Sequence, residues 1–149
     1  MNELHLQGWL CHDHDGLIAV KDDKNASAFW AKSIQESIGD FFNGTDYYED
    51  DSLGGRRDFI PNVSMRMYAT NRECSFDEAV GTVVANLYGD VYSDIGYEGY
   101  SEWTITGYYC KRFAIGGHNL AEELNSYIGK YIHLVCLLYT SPSPRDGAT

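Results

Sequence analysis

The sequence predicts an α+β fold: a mixed or antiparallel sheet with two to three helices packed on one face, in a single domain spanning residues 1–135. Three observations lead there. Val63 to Thr70 alternates strictly, with Val63, Met65, Met67 and Ala69 set against Ser64, Arg66, Tyr68 and Thr70, which is the period of a half-buried strand. Ser75 to Gly89 opens on a Ser75/Glu78 capping box and continues with Phe76, Ala79, Val80, Val83, Val84, Leu87 and Tyr88 as an apolar stripe at helical spacing. Strand-like and helix-like segments interleave along the chain in the order ββα–loop–βα–loop–ββαβ.

The first pair of strands is Leu4–Cys11 and Leu17–Val20, joined by His12-Asp13-His14-Asp15-Gly16, because Asp-Gly supplies the positive φ that a tight hairpin needs. Asn25 to Phe42 follows as a helix, with Trp30, Ile34, Ile38 and Phe41 or Phe42 at helical spacing and Asn25 or Ser27 as its cap. Asn43 to Pro61 is polar, acidic and glycine-containing and reads as a long loop. After the Ser75–Gly89 helix, Asp90 to Tyr100 is a Gly/Tyr-rich connection. Glu102 to Ile115 is β-rich, with a bend near Cys110-Lys111. Asn119 and Glu122 make a second capping box for a short helix whose apolar face is Leu120, Leu124, Tyr127 and Ile128, ending at Gly129. Tyr131 to Val135 is the last strand.

The formal net charge is −11. Such a balance argues against a general binder of nucleic acid or anionic membrane, which needs a basic patch, and suits a protein that engages a basic surface. No stretch approaches the ~20 apolar residues of a membrane-spanning helix, and Met1-Asn2-Glu3-Leu4 does not open a signal peptide. Cys11, Cys74 and Cys110 show no CxxC spacing, so neither a disulfide framework nor a zinc site is expected, and the expected compartment is a reducing host cytoplasm.

The acidic run Asp46-Tyr47-Tyr48-Glu49-Asp50-Asp51, with Asp40 and Asp58 nearby, alternates carboxylates with aromatics. It could imitate a phosphate backbone with stacked bases and occupy a basic groove. Gly54-Gly55-Arg56-Arg57 and Lys111-Arg112 offer guanidinium and ammonium groups for a phosphorylated ligand, with Tyr97 and Tyr100 from the tyrosine cluster as stacking partners. That cluster, Tyr88, Tyr92, Tyr97, Tyr100, Tyr108 and Tyr109, holds half of the chain's twelve tyrosines. No metal or other cofactor is expected, because the four potential ligands of one tight turn cannot converge on a single ion. His12 and His14 would be the ligands if a metal were bound, completed by His118, His133 or Asp90. Cys74 precedes a helix cap but has no base fixed beside it, and neither Gly-x-Ser-x-Gly nor His-Glu-x-x-His occurs, so no catalytic residue is assigned.

Cys136 to Asp146 resembles the translation of a common sequencing-library adapter, and Gly147, Ala148 and Thr149 then read as index sequence. The resemblance implies a metagenomic source, a non-native tail over 136–149 and a native C-terminus that is missing. Cys136, Leu137 and Leu138 are apolar and so can extend the last strand. Two further patterns, Gly8-Trp9-Leu10…Asp13…Asp15-Gly16 and Leu87-Tyr88-Gly89-Asp90…Gly99-Tyr100-Ser101-Glu102-Trp103-Thr104…Ser126-Tyr127-Ile128-Gly129-Lys130-Tyr131-Ile132-His133-Leu134, resemble small proteins carried by bacteriophages and mobile elements. That resemblance implies a counter-defence inhibitor, in the manner of anti-CRISPR proteins or mimics of DNA. The expected function is thus a non-enzymatic acidic inhibitor that occupies the basic nucleic-acid-binding groove of a host nuclease or effector complex, without touching nucleic acid or membrane itself. Two alternatives stand beside it: a sponge for a nucleotide second messenger, and a metal-dependent enzyme.

Overall fold

The structure is a computed structural model that describes residues 3–45, 55–100 and 105–138. It corrects the α+β expectation. One eight-stranded, wholly antiparallel sheet dominates, in the order β3-β2-β1-β8-β4-β5-β6-β7, and the described helices are three and short. The strands are β1 Glu3–His12, β2 Ile18–Lys21, β3 Lys32–Ser33, β4 Gly55–Thr70, β5 Val83–Tyr100, β6 Ile105–Ile115, β7 His118–Asn119 and β8 Tyr131–Leu138. The helices are α1 Ile34–Phe41, α2 Phe76–Ala79 and α3 Leu120–Asn125.

The first hairpin forms where the Asp-Gly signal places it. Asp13 Oδ1 accepts from the backbone N–H groups of Asp15 and Leu17 at 2.9 Å each, and Gly16 supplies φ +86°. The Asn25–Phe42 helix is replaced by three pieces. Ser27 caps a 3₁₀ turn at Ala28–Trp30, Lys32–Ser33 pairs with β2, and only then does α1 start, with Ser33 as its cap accepting from Glu36 N. Ile34 and Ile38 are buried as the helical spacing requires, whereas Trp30 lies before the helix and is 76% exposed.

The expected helix over Ser75–Gly89 is the largest error. Its capping box is present, but α2 ends at Ala79 and the chain turns through Thr82, whose N–H and hydroxyl both donate to the Ala79 carbonyl. Val83 onward is β5. In a helix Gly81 would cost about 1 kcal/mol, and the paired Val83-Val84 suits a strand better. Of the supposed helical stripe, Val80, Val83 and Tyr88 are exposed, while Val84 and Leu87 pack on the core from the strand, together with Ala85. The Asp90–Tyr100 connection is also strand, the continuation of β5. The part of the expected Asn43–Pro61 loop from Gly55 onward is strand, since β4 begins at Gly55 and carries Pro61 and Asn62 (φ +58°) in a bulge. The bend near Cys110-Lys111 is a bulge: Asp94 pairs with Arg112 and Ile95 with Cys110, leaving Lys111 over.

One face of the sheet is the core. Leu6 and Leu10 of β1, Ile132, Leu134 and Cys136 of β8, Val63, Met65 and Met67 of β4, and Phe113 and Ile115 of β6 share it. Ile34 and Ile38 of α1 and Leu120 and Leu124 of α3 cover that face. Helix α3 touches β6, β7 and also β2, strands far apart in the sheet order, so the sheet curls around the core. The helices do not all take one side. Phe76 of α2 packs on the opposite face against His5, Tyr68 and His133. Strand β8 runs through Cys136, Leu137 and Leu138, so the sheet continues three residues into the stretch that resembles adapter sequence. Among the described residues no helix is long and apolar enough to cross a membrane.

Candidate functional site

Strand β1 is longer than its neighbour on one side. It pairs with β8 from Glu3 to Trp9, but with β2 only from Trp9 to His12. At the junction Gly8 adopts φ +150°, and a Cβ there would lie 2.7 Å from the Lys21 carbonyl oxygen, so only glycine lets β2 approach so closely. Beyond Gly8 the edge of β1 opens onto a groove made of two cavities, of about 610 and 260 Å³, that share Leu6 and Lys32.

Helix α1 forms the far wall of the larger cavity. Leu4 and Leu6 make its floor, and Glu36, Ser37, Asp40 and Phe41 line the opposite side. Glu36 is held above its usual carboxylate range by burial, with Asp13, Asp40 and Asp15 adding to that and Arg56 opposing it. Asp40 sits on the rim. Its Oδ1 is 2.8 Å from Arg56 Nη2, and Arg56 Nε donates to the buried Asp58 at 2.7 Å. Burial works against the Arg56 charge, yet its two carboxylate partners hold its pKa above the ordinary value. Gly39 makes room for this cluster, since a Cβ there would meet Arg56 and Asp58 at 2.5 and 2.6 Å.

The smaller cavity lies between His5 and Gln7 of β1, Lys21 and Asp22 at the end of β2, and Trp30. Lys21 is engaged, its Nζ donating to the Ala26 carbonyl at 2.9 Å. Trp30 stacks edge-to-face on Phe29, itself 60% exposed, with ring centroids 5.2 Å apart, and His14 lies 5.2 Å from Phe29. Exposed aromatic pairs of this kind supply rigid contact area at low entropy cost.

His5 connects the groove to the interior. Its Nε2 is 2.9 Å from Nδ1 of the buried His133, whose Nε2 is 2.8 Å from the Cys74 carbonyl oxygen. A carbonyl only accepts, so His133 carries its proton on Nε2 and accepts from His5 at Nδ1. Burial lowers the His5 pKa, the neighbouring His133 imidazole lowers it further, and Glu3 opposes both.

Of the residues singled out from sequence, Asp40 lies on the groove rim, and Asp46, Tyr47, Tyr48, Glu49, Asp50 and Asp51 lie outside the described residues. Arg56 and Arg57 do not act as a pair. Arg56 is bound to Asp40 and Asp58, whereas Arg57 pairs across the sheet with Asp94, which pairs with Arg112. Lys111 is exposed on the bulge beside Arg112. The Arg112 guanidinium stands 5.0 Å over the Tyr92 ring and lines a cavity of about 490 Å³ with Asp90, Ala114 and Gly116. Tyr97 and Tyr100 belong to β5 and pair with Tyr108 and Ile105 of β6. His12 ends β1 exposed, His14 Nε2 is 3.3 Å from Asp15, and His118 Nδ1 is 3.1 Å from Glu123. Among the described residues no group of three His, Cys, Asp or Glu side chains is placed to hold a metal ion.

Sequence reasoning passed over Leu4, Leu6, His5, Glu36 and the exposure of Trp30. The groove depends on β2 ending at Lys21, opposite Trp9, while β8, more than 120 residues further along the chain, holds the other edge of β1 from Glu3 on, and no local pattern encodes that. No protein family, curated protein or solved structure matches the chain.

Proposed function

We propose that the protein is a non-catalytic binding protein whose acidic groove engages a basic surface of a partner protein. The observation that carries this reading is the pairing of Glu36 and Asp40 with exposed apolar surface, Phe41 at one end of the groove and Trp30 at the other. A carboxylate kept partly from water gains most when a cation reaches it, and aromatic rims are the usual anchors of protein interfaces. The net charge of −11 favours long-range steering towards a basic partner. A nuclease or effector whose basic groove holds nucleic acid is the partner class this charge suits, and occupying that groove would inhibit it. The test is competition: purified nucleases and effector complexes are loaded with a fluorescent duplex, and the protein is titrated in. Displacement that weakens with salt and with the Glu36→Gln/Asp40→Asn double variant is expected. Lack of displacement in every target at low salt would refute the inhibitor reading.

The cavity beside Tyr92 and Arg112 favours a second reading, a sponge for a nucleotide. An aromatic face and a guanidinium are the two groups that a base and a phosphate need. A thermal-shift screen of linear and cyclic nucleotides decides it, since a ligand at ~100-fold its Kd adds about 2.7 kcal/mol of stability. No shift with any of them would remove this reading.

A further inference from the structure

We infer that the open half of β1 binds an extended segment of the partner by strand addition. That segment carries an arginine or lysine whose stem lies on Leu4, Leu6 and Phe41 and whose head reaches Glu36 and Asp40. The inference rests on the reading of the protein as a binder of basic partners and adds how the partner is held.

The backbone parity of β1 sets the edge. Leu10 N–H donates to the Lys130 carbonyl, on the β8 side, and Asp13 N–H donates to the Leu17 carbonyl, on the β2 side. Successive strand residues alternate, so Glu3, His5 and Gln7 aim their N–H and C=O groups away from β8. Strand β2 ends at Lys21, opposite Trp9, and among the described residues no strand pairs with that edge from Glu3 to Gly8. The smaller cavity lies along the line β2 would follow if it continued, between His5, Gln7, Asp22 and Trp30. An open row of backbone donors and acceptors is a template for another strand.

Side chains of an added strand alternate between the two faces of the sheet. Those on the core side enter the larger cavity, where an apolar floor and the carboxylates Glu36 and Asp40 fit a long side chain with a charged tip. The two carboxylates outnumber Lys32, the one lining cation among the described residues, while Asp40 also holds Arg56. Those on the other side meet His5 and Trp30. A second copy of this chain fits less well. Its β1 would offer Leu4 and Leu6 but no cation to Glu36, and two chains of charge −11 repel.

The experiment uses short capped peptides in which Val alternates with Lys, Arg or Glu, read by fluorescence anisotropy and by amide exchange of the full chain. The Lys and Arg peptides are expected to bind and to slow exchange at His5 and Gln7, and the Glu peptide is not. Glu36→Gln/Asp40→Asn should weaken binding about tenfold or more, the worth of a charged hydrogen-bonded contact. Gln7→Pro should do the same, because it removes an N–H that faces the groove while sparing the β8 ladder. If Gln7→Pro does not fold, peptides N-methylated at alternate residues remove the same backbone bonds from the other partner. Binding that is lost in the charge variant but indifferent to Gln7→Pro and to N-methylation would overturn strand addition and leave the basic-partner reading standing. Absence of binding by every cationic peptide would overturn both. Self-association in sedimentation velocity that Gln7→Pro abolishes would assign the edge to a second copy and overturn the inference.

Discussion

His5 Nε2 lies 2.9 Å from His133 Nδ1, joining an exposed strand residue to a buried imidazole anchored on the Cys74 carbonyl. The pair sits on the face opposite the main core, packed edge-on by Phe76 and Tyr131. It makes β1 sensitive to acid at the point where the groove opens.

The pH dependence follows from the direction of the His5 shift. The folded pKa is below the ordinary 6.5, so as pH falls below that value the unfolded chain takes up a proton that the folded chain refuses. The stabilising contribution is complete above about 6.5 and is lost as pH drops through the folded value. His5→Gln keeps a donor towards His133 but removes the titration. Urea midpoints should therefore fall less steeply from pH 7 to pH 5 in His5→Gln than in the parent, and parallel slopes would contradict this. Protonated His5 also places a cation on the groove, so a basic segment should bind more weakly at pH 5.

Glu36 works with the opposite sign. Its folded pKa is raised, chiefly by burial, so the associated stability is full below the unfolded value of 4.5 and lost as pH rises through the folded one. Glu36→Gln removes that loss. The variant should melt at a higher temperature than the parent at pH 7, with the gain shrinking towards pH 4, and yet bind cationic segments more weakly. A variant that is less stable at pH 7 would show that Arg56 and the solvent already compensate the charge. A stability gain with a binding loss is what a group kept for recognition shows.

Gly39 carries the third prediction. Alanine normally gains about 1 kcal/mol over glycine inside a helix. Here its Cβ would press on Arg56 Nη2 at 2.5 Å and on Asp58 Oδ2 at 2.6 Å. Displacing the half-buried Arg56 from the buried Asp58 carboxylate outweighs the propensity, and Gly39→Ala should cost roughly 1–3 kcal/mol in urea unfolding. A neutral or stabilising result would mean that α1 can shift away from β4 freely.

What could be read from sequence was what is local. The Asp13–Gly16 turn, the Val63–Thr70 alternation, the Ser75/Glu78 box and the Asn119 cap each depend on residues within eight positions of one another, and each stands in the structure. The Val83–Tyr88 segment failed because its valines and leucine satisfy a helical period by spacing while pairing with β4 decides for a strand. The site was harder still. His5 meets His133 across 128 positions, and Leu4 and Leu6 become a groove floor only because β2 is short. Arg56 and Arg57 are neighbours in sequence, but strand alternation sends them to opposite faces of the sheet.

The end of β8 holds the Glu3–Leu4 end of that groove in the sheet. Cys136 is fully buried, with Leu4 beside it on one side and Met65 on the other, and burial pushes its thiol up to about 12. It is therefore protonated at pH 8 and screened from reagents, so native alkylation should spare Cys136 and unfolding should expose it. Leu137 and Leu138 pair with Glu3, Ser64 and Val63. Ending the chain after Leu138 keeps every one of these pairs and should leave the melting temperature unchanged. Ending it after Val135 frees Glu3 and Leu4 from β8 and uncovers Met65. That chain should melt several degrees lower, a loss of ~1 kcal/mol or more for a domain of this size, and bind cationic strands poorly because β1 is no longer held straight beside α1. Equal melting temperatures for the two truncations would show that Cys136–Leu138 contribute nothing to the sheet, and that the groove floor is fixed by His5 to Trp9 alone.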